Sequence, residues 1–428
     1  MGFSFRLAAV KGLMKKEIRS TADEFERPRK RRRVMVKPDA KPCGLENLTE
    51  DLLMDILARL PAKEVTRSMC VSQFWYSVIS SPVFINLFLQ SPSSAQRRRL
   101  LMSFVDKADQ REYVLVSSSS SPHDHSDVSV LDQDLNMPGM GGYFVNALRG
   151  LLCVRLGRSV RICNLTTKQR VTLPIIRAIL LAEANDNIWN FFGYEPVYDE
   201  YKVLSTVWDV GEEERVVRSE HQVLVLGPGA YWRNTYSTIP PPPHRPYSQG
   251  ISINGVLYYG AWVDKNTCVV MSFDLSSEEF NLIELPVEAG IIWHTARANL
   301  INYKGKLTVF EYSRLAFDAS VDLWVLENAG KKNWSNKTMV LPLSEMNFAP
   351  DDKLGMQGTS RCNEVRLAMI KRIPTTRPRR SVIYDLEKNK ITRKLEVKSL
   401  PHLWCMGVKK GDQTTFWEDI ESIMYLET

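Results

Sequence analysis

A short pattern recurs along the C-terminal two thirds of the chain: an apolar run, a polar turn that begins with Asn or Asp, and another apolar run. The turns read NLTTKQ at 164–169, DLSSEE at 274–279 and DLEKNK at 385–390. Groups of three or four such runs return roughly every 35 to 50 residues, a period typical of β-propeller blades. The sequence therefore predicts an all-β repeat domain over 91–428 that is propeller-like, with a β-sandwich pair as the alternative fold.

The repeat yields five clear or partial units, and further strands remain at both ends of the domain. LLMSFVD and YVLVS form a predicted hairpin at 100–117, which together with the C-terminal strands can close a ring. Between the hairpin and the first unit the chain is rich in Ser and Asp. This composition predicts a flexible loop over 118–140.

Residues 45–90 have a different, helical pattern. Leu52, Leu53, Ile56, Leu57 and Leu60 recur at i, i+1, i+4, i+5 and i+8, which is one apolar stripe of a helix that Pro61 ends. A second helix is predicted over 62–69, and a third over 71–79 that ends at Ser81-Pro82. About forty residues cannot bury this much apolar surface internally. Two interpretations stay open: a three-helix cap on the strand domain, or a unit that offers apolar side chains to a partner.

The segment from Leu45 to Phe84 resembles an F-box of the plant type. Its matches to that motif are Leu48, Asp51, Leu52, Ile56, Leu57, Arg59, Leu60, Pro61, Lys63, Arg67, Cys70, Val71, Ser72, Trp75, Ser77, Ile79, Ser81, Pro82 and Phe84. Thr49 stands where the family prefers proline. The resemblance implies an α+β multidomain protein in which a small three-helix F-box docks on a Skp-type adaptor, and through it on a cullin–RING ligase.

The same resemblance implies which residues contact the adaptor. They are Leu48, Leu52, Ile56, Leu60, Pro61, Val65, Cys70, Val71 and Trp75. The strand-rich remainder resembles the F-box-associated interaction region, in phrases such as FFGYEPVYDEYKVLS and NGVLYYGAW. In that family the region is a substrate-binding module. The expected function is therefore the substrate-recognition subunit of an E3 ubiquitin ligase whose protein substrate is unknown.

The excess positive charge is concentrated near the N-terminus. Residues 27–37 hold seven Lys or Arg and no acid, against a net charge of +7 for the whole chain. The remainder is near neutral, which does not favour nucleic acid as a partner. The tail 1–44 is predicted to be disordered, and its basic block resembles a nuclear-import signal formed by Arg29, Lys30, Arg31, Arg32 and Arg33. The expected location is the nucleus, with the cytoplasm as a second possibility.

Two other function classes remain open at this stage. A nuclear, transcription-regulating protein would use the basic tail for nucleic acid. A propeller enzyme is disfavoured because the HExxH, GxSxG, GxGxxG and Walker motifs are all absent. His123 and His125 lie in the Ser/Asp-rich stretch, where a solvated loop is favoured over a metal site. We expect no catalytic residue, metal or cofactor, and no apolar run is long enough to predict a membrane span.

A proline run stands out at Pro240–Pro243, followed by His244, Arg245 and Pro246. Such a run is either a polyproline ligand for an SH3- or WW-like groove or a stiff connection between blades. The sequence favours the second interpretation without excluding the first.

Overall fold

The computed structural model describes residues 48–91, 99–105, 112–119, 128–180, 187–211, 215–265, 267–286, 298–328, 333–346, 348, 354–359, 362–369, 379–397 and 415–426. The chain divides into two compact units, Met1–Thr49 and Glu50–Thr428. In the first unit only Leu48 and Thr49 are described. The predictions for the basic tail and for His123 and His125 therefore lie outside the described residues.

The second unit begins with four short helices. They are α1 Glu50–Leu57, α2 Ala62–Ser68, α3 Gln73–Ile79 and α4 Pro82–Gln90. The sequence pattern predicts three helices and an end at Ser81-Pro82, but this pair begins the fourth. Proline is well tolerated at the first helical position, and the Ser81 hydroxyl accepts a hydrogen bond of 3.1 Å from the Phe84 N–H. Ser-Pro is thus a start signal here as well as a stop signal.

The strands that follow the helices form five sheets. The N-terminal strands are β1 Arg99–Val105, β2 Glu112–Ser119 and β3 Val128–Pro138. The first sheet contains β4 Tyr143–Leu148, β5 Leu151–Leu156, β6 Ser159–Asn164 and β7 Gln169–Thr172. The second sheet contains β8 Ile188–Glu195, β9 Glu200–Val210, β10 Val216–Val225 and β11 Arg233–Asn234. Strands that are consecutive in the chain pair antiparallel in both sheets.

The fourth sheet repeats this plan, and the third departs from it in one respect only. The third contains β12 Arg245–Pro246, β13 Ile251–Ile253, β14 Val256–Trp262, β15 Cys268–Asp274 and β16 Phe280–Glu284. In this sheet β12 and β13 both pair with β14. The fourth contains β17 Ala298–Tyr303, β18 Lys306–Glu311, β19 Ser320–Asn328 and β20 Asn333–Val340. A short helix, α5 Leu315–Asp318, precedes β19, and a 3-10 turn at Leu343–Met346 follows β20.

The fifth sheet joins strands from both ends of the domain. It contains β21 Leu354–Gly358, β22 Glu364–Met369, β23 Arg379–Asp385, β24 Lys390–Val397 and β25 Thr415–Asp419, together with β1, β2 and β3. β1 pairs antiparallel with β2 and with β25, which confirms the predicted hairpin and its pairing with a C-terminal strand. The domain is an all-β, five-blade propeller behind a short helical region, which confirms the predicted propeller-like fold and adds the number of blades.

The predicted loop over 118–140 is wrong for part of its length. Residues 128–138 form β3, which pairs antiparallel with β2 and parallel with β24. Ser- and Asp-rich composition does not prevent a strand when neighbouring strands on both sides satisfy its backbone N–H and C=O groups. The pairing of Val128 with Lys394, 266 residues further along the chain, leaves no trace in local composition.

The recurring polar turn is the same structure in three sheets. The side-chain oxygen of Asn164, Asp274 or Asp385 accepts hydrogen bonds from the two backbone N–H groups two and three residues ahead. The next residue is a buried leucine in every case, and the fifth residue of each turn has a positive φ of 51 to 61°. Asn and Asp favour this turn because a short side-chain acceptor replaces a backbone one. The turns at 164–169 and 274–279 lead to edge strands, β7 and β16, whereas the turn at 385–390 leads to β24, which lies inside the fifth sheet between β23 and β3.

Side chains that alternate along the strands fill the spaces between neighbouring sheets. Phe192 on β8 packs in one cluster with Leu151 of the first sheet, whereas the adjacent Phe191 stacks on Tyr259 of the third, with ring centroids 4.1 Å apart. Successive residues of a strand point to opposite faces. The second sheet is therefore buried on both of its faces where Phe191 and Phe192 lie.

Candidate interaction surface

Helix α1 divides its apolar stripe into a buried line and an exposed line. Leu53 and Leu57 are each 1% exposed and belong to the core of the helical unit. Leu52 and Ile56 are 52% and 46% exposed. Residues four apart lie on one side of a helix, so Leu53 and Leu57 form one line and Leu52 and Ile56 another. The two lines are about 100° apart around the helix axis. The stripe is thus too wide for the core alone, and half of it faces outward.

Helix α3 repeats this division. Val78 and Ile79 at its end are buried, whereas Phe74 in its first turn and Val71, two residues before the helix, are exposed. The Ser72 hydroxyl caps the helix by accepting a hydrogen bond of 3.1 Å from the Trp75 N–H. Helix α3 contacts both α1 and α2, so the helical unit has exposed apolar side chains on two helices that pack together.

The nine implied contact residues fall into three groups by burial. Exposed are Leu52, Ile56, Pro61, Cys70 and Val71; half-buried are Leu48, Leu60 and Trp75; fully buried is Val65. The side chain of Val65 packs α2 against the core of the helical unit and is therefore not on the surface. Phe74 is exposed beside Val71 and is absent from the set, although its i+3 spacing from Val71 was a usable signal. We call Leu52, Ile56, Val71 and Phe74 the apolar face.

The C-terminal segment 420–426 connects the helical unit to the propeller. Ile423 is buried in the helical core, and the Glu421 carboxylate accepts a hydrogen bond of 2.9 Å from the N–H of Ala62 at the start of α2. From the other side, the Asn164 amide donates to the carbonyls of Ser422 and Met424 at 3.0 and 2.7 Å. The segment is thus bonded to α2 and to the first sheet.

Arg149, in the turn between β4 and β5, makes a second connection. Its guanidinium donates to the Asn86 side chain on α4 and, over 3.0 Å, to the Tyr201 hydroxyl on β9. The same group lies 4.0 Å from the centre of the Tyr194 ring, within the range of a cation–π contact. Burial raises the pKa of Tyr194 to about 12, and its hydrogen bond to Asp199 adds to this. The Tyr194 hydroxyl therefore stays protonated, and the contact with Arg149 is one of a cation with a neutral ring.

The buried His244 and the half-buried His221 lie between the second and third sheets. The ring nitrogens of His221 form hydrogen bonds of 3.1 Å with the hydroxyls of Thr206 and Ser219. Those of His244 form hydrogen bonds of 2.8 Å with the Pro242 carbonyl and 2.9 Å with the Tyr259 hydroxyl. Their rings stack with centroids 4.9 Å apart. Burial lowers the pKa of His244 to about 4 and that of His221 well below its usual value. Both rings are neutral at pH 7, which suits packing between sheets.

The described part of the chain contains no group of three or more His, Cys, Asp or Glu residues placed to hold a metal ion. Within the same residues, no helix has both the length and the apolar character that crossing a membrane requires. The apolar face is accordingly the feature of the helical unit that most clearly points to a partner.

A short helical unit with an exposed apolar face, followed by an all-β propeller, defines an F-box protein of the propeller class. The family model of the F-box domain matches residues 45–87, and that of the F-box associated beta propeller domain matches residues 99–419. The chain belongs to this family of F-box proteins with an associated propeller domain.

Relatives in Arabidopsis thaliana extend along most of the chain. One F-box protein is 51% identical over 83% of this chain and 88% of its own length. An F-box/kelch-repeat protein is 37% identical over the full length of both chains, and an F-box/LRR-repeat protein is 37% identical over 90% of this chain and 88% of its own. Solved structures are more distant: TolB from Acinetobacter baumannii is 8% identical, with a TM-score of 0.36, and covers 74% of this chain and 69% of that one.

Proposed function

We propose that the protein is the substrate-recognition subunit of a Skp–cullin–F-box type E3 ubiquitin ligase. F-box domains generally bind a Skp-type adaptor, and F-box proteins generally serve as substrate receptors of such ligases. The observation that carries the proposal is the exposure of Leu52 and Ile56 one helical turn apart on α1, while Leu53 and Leu57 form the core. The adaptor covers the apolar face, and the removal of these four apolar side chains from water favours binding.

The propeller holds the target protein in this account, and the chain supplies no catalytic group. Tethering raises the effective concentration of the target near the transferred ubiquitin. Such a mechanism benefits from a fixed geometry between the two ends of the receptor. The C-terminal segment supports this requirement, because its Glu421 carboxylate accepts a hydrogen bond from Ala62 of α2 and its Ser422 carbonyl accepts one from Asn164 of the first sheet.

Affinity purification of the full chain under proteasome blockade tests the proposal. The wild type should recover the adaptor, the cullin and one or more ubiquitinated proteins. A variant with Leu52→Asp and Ile56→Asp should lose the adaptor and cullin but keep the same target proteins, now without ubiquitin. Targets that carry the same ubiquitin on both forms of the receptor would overturn the proposal.

Nuclear localisation forms part of the same proposal and rests on the sequence alone. Arg29, Lys30, Arg31, Arg32 and Arg33 supply the import signal, and the receptor meets its targets in the nucleus. Fusion of residues 1–44 to a fluorescent reporter tests this, with replacement of the five basic residues by alanine as the control. Equal distribution of both fusions between nucleus and cytoplasm would contradict the proposal.

A further inference from the structure

The proline run is part of an ordered connection between two sheets. Residues 239–245, IPPPPHR, lead from β11, the edge strand of the second sheet, to β12, which pairs with β14 in the third. We call them the proline ridge. The family assignment and the proposed function leave this segment without a role.

The sequence dictates a polyproline II conformation for the ridge. Each proline ring fixes φ near −65°, and each residue before a proline is restricted to extended ψ values. Pro240, Pro241 and Pro242 satisfy both conditions, and the described peptide bonds are all trans. The ridge therefore contains at least one full turn of a left-handed helix with three residues per turn.

Burial along the ridge repeats every three residues. Ile239 and Pro240 are exposed, Pro241 is half-buried, Pro242 and Pro243 are exposed, and His244 is fully buried. In a helix with three residues per turn, residues 241 and 244 lie on one edge. This edge faces the protein, and the other two edges, formed by 239 with 242 and by 240 with 243, face solvent.

Both ends of the ridge are fixed to the propeller. His244 is held by the Tyr259 hydroxyl and by its stack on His221. At the other end, the Thr238 hydroxyl donates to the Glu279 carboxylate over 2.8 Å. A ligand segment that is already extended and anchored loses little conformational freedom when it binds.

We propose that the proline ridge is a docking site for an SH3-type domain of a partner protein. Grooves lined with aromatic side chains recognise PxxP segments through two exposed edges of the polyproline helix. Pro240 and Pro243 have the spacing of a PxxP segment. The exposed residues of the ridge form two adjacent pairs, 239–240 and 242–243, which are available to such a groove. Arg245, two residues beyond Pro243, is half-buried. Its cation fits an acidic side chain at the end of the groove, which favours an SH3-type groove over other polyproline-binding folds.

A binding panel tests the proposal with the full-length chain. The chain is immobilised and exposed to purified SH3, WW and EVH1 domains, each first shown to bind its own control peptide. Three variants accompany the wild type: the double change Pro240→Ala with Pro243→Ala, the single change Arg245→Glu, and the matched control Pro241→Ala on the inward edge. Thermal unfolding verifies that each variant is folded. If the double proline variant does not fold, Arg245→Glu alone tests the proposal.

The expected result is that at least one SH3 domain binds wild type and Pro241→Ala equally. Its affinity for the double variant and for Arg245→Glu should be about tenfold lower or worse. Three results would overturn the proposal: no SH3 domain binds, binding is confined to WW or EVH1 domains, or the two outward-edge variants bind as well as wild type. Adaptor binding involves other residues and should be unchanged in all variants, so failure here is distinguishable from failure of the proposed ligase function.

Discussion

The backbone N–H of Ala62 and the carboxylate of Glu421, 359 residues apart in the chain, form a hydrogen bond of 2.9 Å. Ala62 is the first residue of α2, and the preceding Pro61 provides no side-chain cap. The carboxylate satisfies one of the donors that a helix start leaves open and favours the positive end of the helix dipole. A residue of the C-terminal segment thus caps a helix of the F-box.

Replacement of Glu421 should loosen α2 without affecting the propeller. We expect Glu421→Ala to cost about 1 to 2 kcal/mol, because a buried N–H loses its acceptor. Glu421→Gln retains an oxygen acceptor and should cost less. Hydrogen exchange of the peptide that spans 62–68 measures the effect. Equal exchange in wild type and Glu421→Ala would show that the hydrogen bond does not stabilise the helix.

Neighbouring leucines on α1 should differ sharply in their contribution to stability. Leu57→Ala should lower the free energy of unfolding by about 2 to 5 kcal/mol, because it opens a cavity in the helical core. Leu52→Ala should change it by less than about 0.5 kcal/mol, since the side chain is already half in solvent. Hydrogen exchange of the peptide that spans 50–57, followed in increasing urea, compares the two. Similar values for both variants would contradict the division of α1 into a buried and an exposed line.

The recurring turn can be tested at Asp274. Asp274→Ala removes the acceptor of two backbone hydrogen bonds, to Ser276 at 2.9 Å and Ser277 at 2.8 Å, and should cost about 1 to 2 kcal/mol. Asp274→Asn should be nearly neutral, because Asn164 makes the same bonds in the first sheet. Thermal denaturation distinguishes the pair. Equal melting temperatures for the Ala and Asn variants would show that the side-chain acceptor is dispensable.

Stability should fall as the pH is lowered from about 7 to 5. His221 and His244 have depressed pKa values in the folded protein, so the unfolded chain binds more protons below its ordinary histidine pKa of about 6.5. The contribution of the two histidines to the free energy of unfolding is complete above a pH of about 6.5. It is lost as the pH falls toward about 4, the pKa of His244 in the folded protein. At full protonation His244 alone accounts for on the order of 3 kcal/mol. Urea unfolding at pH 7, 6 and 5 should show this slope.

The control for the pH experiment is His244→Gln, which keeps a polar group of similar size but does not titrate. We expect its stability to depend less on pH over the same interval, in which few carboxylates change charge. An identical slope in wild type and variant would mean that other groups cause the pH dependence.

Local sequence patterns predicted much of this structure, and long-range pairing explains what they missed. The Asn254-Gly255 pair predicts a hairpin, and both residues have the positive φ that such a turn requires. The periodicity of α1 predicts an apolar stripe but not its division, because the width of the buried part depends on α3 and α4. The contact of Glu421 with Ala62 and the pairing of β3 with β24 had no local signal, since in both cases the partners lie more than 250 residues apart in the chain.

Burial also corrects residues that a family motif alone places at an interface. Val65 matches the implied contact set, yet it is 0% exposed, and Phe74 lies outside that set although it is exposed. A motif is maintained by core packing as well as by contact with a partner. Whether a given apolar residue of the motif packs in the core or contacts a partner depends on how the neighbouring helices are arranged around it.

We propose that the adaptor binds the apolar face, which Leu52, Ile56, Val71 and Phe74 form. The most direct test is the dissociation constant of a purified Skp-type adaptor for the full chain, measured by calorimetry for wild type, Leu52→Asp with Ile56→Asp, and Phe317→Asp. Phe317 is 84% exposed on α5 and provides a matched apolar-to-Asp control outside the F-box. We expect the double variant, with an unchanged melting temperature, to bind at least about a hundredfold more weakly, which corresponds to about 2.7 kcal/mol, and the control to bind as wild type. Equal binding of all three proteins would contradict the claim.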